Sequence, residues 1–133
     1  IFRHFGNKEG LLAALLAEGA QRTVKLVDEI AKLPEPQARI KAVCHMPWGI
    51  QSSEYDYWRL LYALKWQSDR YDAASTAPIK AMLAEAFTEL GAESPSAEAE
   101  LVLVLLDGLV SAFLLRRPSE LNQLKTLIEQ RYT

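Results

Sequence analysis

Apolar residues recur with the period of an α-helix in every long segment of this 133-residue chain, and no segment alternates apolar and polar residues as a β-strand does. Proline, glycine and capping residues divide the pattern into six predicted helices. We expect them over residues 8–33, 37–51, 54–69, 78–90, 95–117 and 119–132. The pattern therefore predicts an all-α fold, and the length suits one compact domain.

Single residues predict where several of these helices begin and end. Pro34 should stop the first helix, and Pro47 should kink the second or end it early, because proline lacks a backbone N–H group. Ser52 and Ser53 are predicted to cap the third helix, and Gly91 to stop the fourth.

Charge and cysteine content limit the classes of function. The net charge is −2, whereas a DNA-binding domain usually carries a basic surplus, so any contact with DNA must be local. Cys44 is the only cysteine, which excludes an internal disulfide and predicts a reducing, cytoplasmic location. The longest apolar run, residues 101–115, is too short and too interrupted to cross a bilayer, so no membrane partner is expected.

The first twelve residues, IFRHFGNKEGLL, carry the most specific motif of the chain. An aromatic residue, a His-Phe pair, a small turn residue, a helix cap, a Lys-Glu pair and a leucine occur in the order Phe2, His4, Phe5, Gly6, Asn7, Lys8, Glu9 and Leu11. This order resembles the junction between the recognition helix and the long connecting helix in the TetR family of transcriptional repressors. The segment LDGL at 106–109, followed by a short amphipathic helix, resembles the dimerisation hairpin of that family.

The resemblance implies that residues 1–7 end a helix-turn-helix DNA-binding domain and that residues 8–133 form a TetR-like ligand-binding and dimerisation domain. It also implies contacts with DNA phosphates by Phe2, Arg3, His4 and Lys8. The imidazole of His4 and the ammonium of Lys8 can donate to phosphate oxygens, which positions a protein without reading bases. Phe2 lacks the hydroxyl of the tyrosine that the family commonly has there. Operator DNA is therefore expected as a partner of the full-length protein, and the 133 residues alone should bind it weakly.

An aromatic stripe on the third predicted helix is the main candidate for a binding surface. Its members are spaced three, four and four residues apart, so they share one face. The resemblance implies an effector pocket among the central helices, and a small, mostly apolar molecule suits aromatic walls. An aromatic stripe at helical spacing is more often plain core, and that alternative stays open. The predicted ligand-binding residues are Trp48, Tyr55, Trp58, Tyr62, Trp66, Phe87 and Asp107.

Asp107 lies in the middle of the apolar run, where an ionised carboxylate must be paired or hydrogen-bonded. A polar anchor for the effector is one interpretation, and a structural hydrogen bond to a neighbouring helix is the one we favour. Cys44 and His45 are adjacent, so on a helix their side chains point about 100° apart. With no zinc-ligand spacing and no Gly-rich phosphate loop, we expect no catalytic site, no cofactor and no metal.

The last two predicted helices carry apolar and small residues at spacings of four and three, typical of close helix packing. We expect a homodimer through Leu101, Leu105, Gly108, Ala112, Leu115, Leu124 and Ile128. The expected function is an effector-responsive transcriptional regulator, a repressor by resemblance. The alternative is a helical interaction or dimerisation module without a small-molecule ligand. A cavity of ligand size beside the aromatic stripe would favour the regulator.

Overall fold

A computed structural model describes residues 8–67, 76–115 and 121–132, with side chains described for residues 10–64, 76–115 and 121–132. Six α-helices lie in these ranges: α1 (Lys8–Ala31), α2 (Pro36–Cys44), α3 (Tyr55–Gln67), α4 (Ala77–Glu89), α5 (Pro95–Leu115) and α6 (Asn122–Arg131). These ranges contain no β-strand, which confirms the predicted all-α class. Residues 1–7, the predicted end of a DNA-binding domain, lie outside the described residues.

The end of α1 comes two residues before the predicted position. Lys32 N–H donates to the Glu29 carbonyl (3.3 Å) and Leu33 N–H to the Ile30 carbonyl (3.0 Å), so the last turn tightens to 3₁₀ geometry. Pro34 follows and cannot continue the helix, as predicted.

The second helix is much shorter than the predicted 37–51, because α2 ends at Cys44. Pro47 has no N–H group to donate to the carbonyl of Val43, and its ring would clash with that carbonyl in a continued helix. The chain instead forms a 3₁₀ turn over Met46–Gly49, with Pro47 buried. The early end that the proline predicted is therefore confirmed.

The start of α3 differs from the predicted serine caps. A second 3₁₀ turn, Ser52–Glu54, leads into the helix, and both serines lie inside that turn. Gln51 takes the capping position, and its N–H donates to the Glu54 carboxylate at 3.3 Å. The Glu54 carboxylate, instead of a serine hydroxyl, therefore accepts from a backbone N–H group at the start of this turn.

The connection from α4 to α5 is short because Gly91 adopts a left-handed backbone conformation, with φ of +77°. Gly91 N–H donates to the Thr88 carbonyl and Ala92 N–H to the Phe87 carbonyl, each at 3.0 Å. These two bonds form a Schellman motif, which satisfies the free carbonyls at the end of α4. The predicted stop at Gly91 is confirmed.

Two groups of buried apolar side chains hold the helices together. The larger cluster joins α2, α4 and α5, and it includes the fully buried Ile40, Leu83 and Ala99. The smaller cluster joins the first half of α1 to α3 through Leu11, Leu12, Leu61 and Leu64. The second half of α1 therefore lies beyond the residues of this cluster that pack on α3, and this arrangement leaves room for a cavity beside it.

Arg39 is the buried charged residue of the described core, with 8% of its surface exposed. Its guanidinium donates to the Leu33 carbonyl at 2.8 Å and to the Pro34 carbonyl at 3.3 Å, and it pairs with Glu89. One side chain therefore joins the end of α1 to the end of α4, and its charge is satisfied on all sides as burial requires.

Candidate ligand cavity

A cavity of about 1180 Å³ lies between α1, α3, α4 and α5, beside the connection from α2 to α3. The described residues that line it are Leu16, Gly19, Arg22, Thr23, Lys25, Leu26 and Glu29 of α1, Met46, Pro47, Gly49, Ile50 and Glu54 of the connection, Trp58, Leu61 and Tyr62 of α3, Thr76, Ala77, Ile79 and Lys80 at the start of α4, and Glu100, Leu103, Val104, Leu106, Asp107 and Val110 of α5. Ligand sites in proteins usually measure about 300–1,000 Å³, so this space can hold a molecule with several rings.

On the α1 side, the cavity wall depends on a glycine. A Cβ atom at Gly19 would lie 3.1 Å from the hydroxyl oxygen of Tyr57. That hydroxyl donates to the Leu15 carbonyl at 2.8 Å. The Thr23 hydroxyl donates to the Gly19 carbonyl, also at 2.8 Å. Position 19 therefore allows α3 to approach α1 closely, at the point where α1 passes from its contact with α3 to the wall of the cavity.

On the α5 side, the wall is apolar except for the carboxylates of Glu100 and Asp107. Leu103, Leu106 and Val110 line the cavity at helical spacings, and Asp107 lies among them. The structure thus places Asp107 in the cavity wall.

Two aromatic side chains of α3, Trp58 and Tyr62, also line the cavity. The ring of Trp58 packs edge-on against Tyr57, with the ring centroids 5.1 Å apart. Its indole nitrogen is buried and has no hydrogen-bond partner among the described residues. Packing against Tyr57 and the apolar wall, instead of a hydrogen bond, therefore holds this indole in place.

Arg22 joins α1 to the start of α3 at the edge of the cavity. Its guanidinium contacts Glu54 at 2.8 Å and Glu18 at 2.9 Å, and it lies 4.5 Å from the centroid of the Tyr57 ring. Burial, and after it the negative charge of Glu18, raises the pKa of the Tyr57 hydroxyl, which therefore stays protonated as a donor. Each of these partly exposed pairs stabilises the fold by no more than about 1 kcal/mol, so their main effect is on geometry.

A second ion pair at the cavity joins α4 to α5. Lys80 Nζ lies 3.1 Å from the Glu100 carboxylate, and both residues line the cavity. The arginine and this lysine thus each have a carboxylate partner. An anionic ligand at either of these two cations would have to displace its carboxylate partner, whereas a neutral ligand would leave both pairs intact. Lys25 lines the cavity as well.

The structure brings together three of the predicted ligand-binding residues, since Trp58, Tyr62 and Asp107 line one cavity. Trp66 lies on α3, but its side chain is outside the described residues. The predicted stripe therefore reaches the cavity through its two central members.

Trp48, Tyr55 and Phe87 are not among the described residues that line the cavity. Phe87 is buried in the larger core cluster, and Trp48 packs edge-on against Phe113, with the ring centroids 5.0 Å apart. The guanidinium of Arg59 lies 5.9 Å from the Tyr55 ring. Phe87 is thus a core residue and Trp48 packs against the core, so the structure places neither of them in the described cavity wall.

The predicted DNA contacts Phe2, Arg3 and His4 lie outside the described residues. Lys8 is the first residue of α1, and its side chain is also outside them. These four assignments remain predictions.

The predicted dimer residues are mostly exposed in the single chain, as the surface of a partner site must be. Leu101, Leu105, Gly108, Leu115 and Leu124 are exposed, and Ala112 is half-buried. Ile128 differs, because it is 6% exposed and packs into the core of its own chain. Its assignment to the partner surface is therefore corrected.

The contribution of α1 to the cavity was not predicted from the sequence. Arg22 and Leu26 were not proposed as binding residues, and neither was Ile50 of the connection. A signal was present, since Gly19 is an unusual residue in a helix interior and lies on the same face as Leu26.

The described residues contain no group of three or more His, Cys, Asp or Glu side chains that could hold a metal ion. Cys44 is buried, and burial raises the pKa of its thiol to about 11, which leaves it a poor nucleophile. Among the described helices, none is both long and apolar enough to cross a membrane.

We compared the chain with protein-family models, with curated proteins and with solved structures, and found no match in any of the three.

Proposed function

We propose that this chain is the effector-binding and dimerisation domain of a transcriptional regulator of the TetR type, and that it acts as a repressor. The observation that carries the proposal is the cavity of about 1180 Å³ walled by α1, α3, α4 and α5. Its wall surface is mostly apolar and includes Trp58 and Tyr62, which suits a small apolar effector that contains rings.

The course of α1 supports a regulatory role for this cavity. The helix begins at Lys8, directly after the motif that resembles the end of a DNA-reading domain. Its first half packs on α3 through Leu11 and Leu12, and its second half lines the cavity from Gly19 to Glu29. A ligand that favours one position of the second half therefore also favours one position of the first.

A ligand in the cavity acts on DNA only through the relative placement of two DNA-reading domains. A dimer supplies two such domains, and the exposed apolar residues of α5 and α6 provide a surface for it. Operator DNA and a small apolar effector are accordingly the proposed partners of the full-length protein, and a cytoplasmic location follows from this role.

The test is a fluorescence titration of the 133-residue chain with N-phenyl-1-naphthylamine, a neutral two-ring compound whose emission rises in apolar surroundings. We expect saturable binding, and we expect Leu103→Glu to abolish it by placing a charge in the apolar wall. Leu90→Glu is the matched control, because Leu90 is an exposed leucine at the end of α4 and is not among the lining residues.

Equal binding by both variants would place the compound outside the cavity and would contradict the proposal. A folded dimer that binds neither this compound nor other neutral ring compounds would instead support the alternative, a dimerisation module without a ligand.

A further inference from the structure

Gly49 lies at the end of the 3₁₀ turn Met46–Gly49, in the connection from α2 to α3. It lines the cavity and is exposed, so part of its exposed surface faces the cavity. Exposed lining residues also lie on the helices, for example Lys25, Ala77 and Val104, so the cavity is open on several sides. At Gly49, the wall that the connection contributes carries no side chain.

The backbone at Gly49 does not require a glycine. Among the described residues, the glycine with a positive φ is Gly91, so Gly49 adopts a conformation that other residues also adopt. A glycine in such a conformation destabilises the folded chain relative to alanine, because glycine loses more backbone freedom on folding. The conformation of the turn therefore gives no reason for a glycine at this position.

Packing of the described residues does not require a glycine at position 49 either. A Cβ atom there would meet nothing within 4 Å, whereas a Cβ atom at Gly19 would lie 3.1 Å from the Tyr57 hydroxyl oxygen. Gly19 thus permits the close approach of two helices, while Gly49 brings no two elements together. What Gly49 contributes is open space beside the cavity wall.

The turn that carries Gly49 is held in place by its neighbours in the sequence. The Ile50 N–H group donates to the Pro47 carbonyl at 3.1 Å. Pro47 is buried, and the Trp48 ring packs on Phe113 of α5. The turn cannot move away from the cavity without loss of this packing, so a side chain added at position 49 takes up space beside a fixed wall.

We propose that Gly49 sets the size of the ligand, because the bare backbone of the turn admits one edge of a large, flat molecule with several fused rings. This inference rests on the proposed function, since it takes the cavity as the ligand site. The cavity of about 1180 Å³ has room for such a molecule between this turn and Trp58. A flat ring system suits the position, because the planar peptide groups on either side of Gly49 are not covered by a side chain.

The proposal implies that Gly49→Ala changes stability and binding in opposite directions. Alanine restricts the unfolded chain and fits the folded conformation of the turn, so the substitution should raise the urea concentration at the midpoint of unfolding. The added methyl group should at the same time weaken binding of a large ligand. A purely structural role of the glycine would instead lower the midpoint.

The experiment compares two neutral compounds whose emission rises in apolar surroundings, Nile red and N-phenyl-1-naphthylamine, of which Nile red has the larger fused ring system. Both are titrated against wild type, Gly49→Ala and Gly49→Leu at one fixed protein concentration, with circular dichroism and urea unfolding as the checks on folding. Ser53→Leu is the matched control, because Ser53 is exposed, lies in the same connection and is not among the described lining residues.

We expect Gly49→Leu to weaken binding of Nile red at least tenfold and binding of N-phenyl-1-naphthylamine no more than about threefold, since one methylene group more or less in an apolar pocket changes discrimination by about 10–200-fold. Gly49→Ala should weaken binding of Nile red roughly threefold and raise the urea midpoint. Ser53→Leu should bind both compounds as wild type does.

Wild-type affinity of Gly49→Leu for Nile red, or an equal loss of affinity for both compounds, would overturn the role of Gly49 and leave the ligand cavity intact. A Gly49→Ala chain that is less stable than wild type would show that the fold itself requires the glycine, and would overturn that role as well. Wild type that binds neither compound would overturn the proposed function together with this inference.

Discussion

The close approach of α1 and α3 at Gly19 makes a stability measurement informative. Gly19→Ala normally stabilises a helix interior by about 1 kcal/mol, because alanine loses less backbone entropy than glycine. Here the new Cβ atom would lie 3.1 Å from the Tyr57 hydroxyl oxygen, a few tenths of an ångström too close. The Tyr57 ring packs against Trp58 and the Arg22 guanidinium, so it moves away only by weakening its hydrogen bond to Leu15.

The magnitudes follow from these two opposing effects. A hydrogen bond of this kind contributes about 1 kcal/mol net, so Gly19→Ala alone should leave the free energy of unfolding within roughly 0.5 kcal/mol of wild type. Tyr57→Phe alone should lower it by about 1 kcal/mol. In the Tyr57→Phe background the hydroxyl is absent, and Gly19→Ala should then stabilise the chain by the full helix-propensity gain of about 1 kcal/mol.

The assay is a double-mutant cycle of urea unfolding, followed by circular dichroism at one fixed protein concentration. We expect a coupling of about 1 kcal/mol between the two positions. If Gly19→Ala stabilises wild type and Tyr57→Phe equally, the hydroxyl does not contact position 19, and the geometry of this cavity wall is wrong.

Three further results are expected. Trp58→Leu should weaken binding of N-phenyl-1-naphthylamine roughly tenfold in a fluorescence titration, since an aromatic contact adds about 0.5–1.5 kcal/mol beyond area burial. Trp48→Leu, whose ring packs against Phe113, should lower stability and leave the affinity unchanged. Equal affinities in the two variants would count against the cavity site. Burial raises the pKa of the Cys44 thiol from 9.0 to about 11, so the unfolded chain loses this proton first. The contribution of Cys44 to stability should be intact below pH 9 and decline as the pH rises toward 11, and urea unfolding should show a smaller decline for Cys44→Ala than for wild type, because Tyr57 and Tyr132, whose pKa values are also raised, remain in both. Gly91→Ala should lower the free energy of unfolding by about 1–2 kcal/mol, since its φ of +77° disfavours a residue with a Cβ atom, and a neutral effect would mean that the turn is not left-handed.

The sequence predicted those features of the fold that depend on local backbone chemistry. Pro34, Pro47 and Gly91 each act on the few residues around them, and the helices end where these residues require. The cap of α3 was predicted wrongly: the Glu54 carboxylate accepts from the Gln51 N–H group, and both serines lie inside the 3₁₀ turn that precedes the helix. Which residue acts as the cap depends on the conformation of the turn before the helix, and the helical period of the sequence contains no information about that turn.

The site was only partly predictable, because the cavity is formed between elements that are distant in the sequence. The aromatic stripe was recognised, but which of its members face the cavity depends on how α3 rotates against α1 and α5. Tyr57, one residue off the stripe, proved to contact Leu15 and Arg22. Trp48 was assigned to the ligand site, but the 3₁₀ turn at Pro47 places its ring against Phe113 in the core.

The central claim is that a small apolar molecule binds in the cavity between α1, α3, α4 and α5. A crystal structure of the chain grown with N-phenyl-1-naphthylamine tests it most directly. We predict density for the compound against Trp58 and Leu103, with the ion pairs of Arg22 and Lys80 retained. If the cavity is empty and the compound lies instead on the exposed apolar residues of α5, such as Leu101 and Leu115, the account is contradicted.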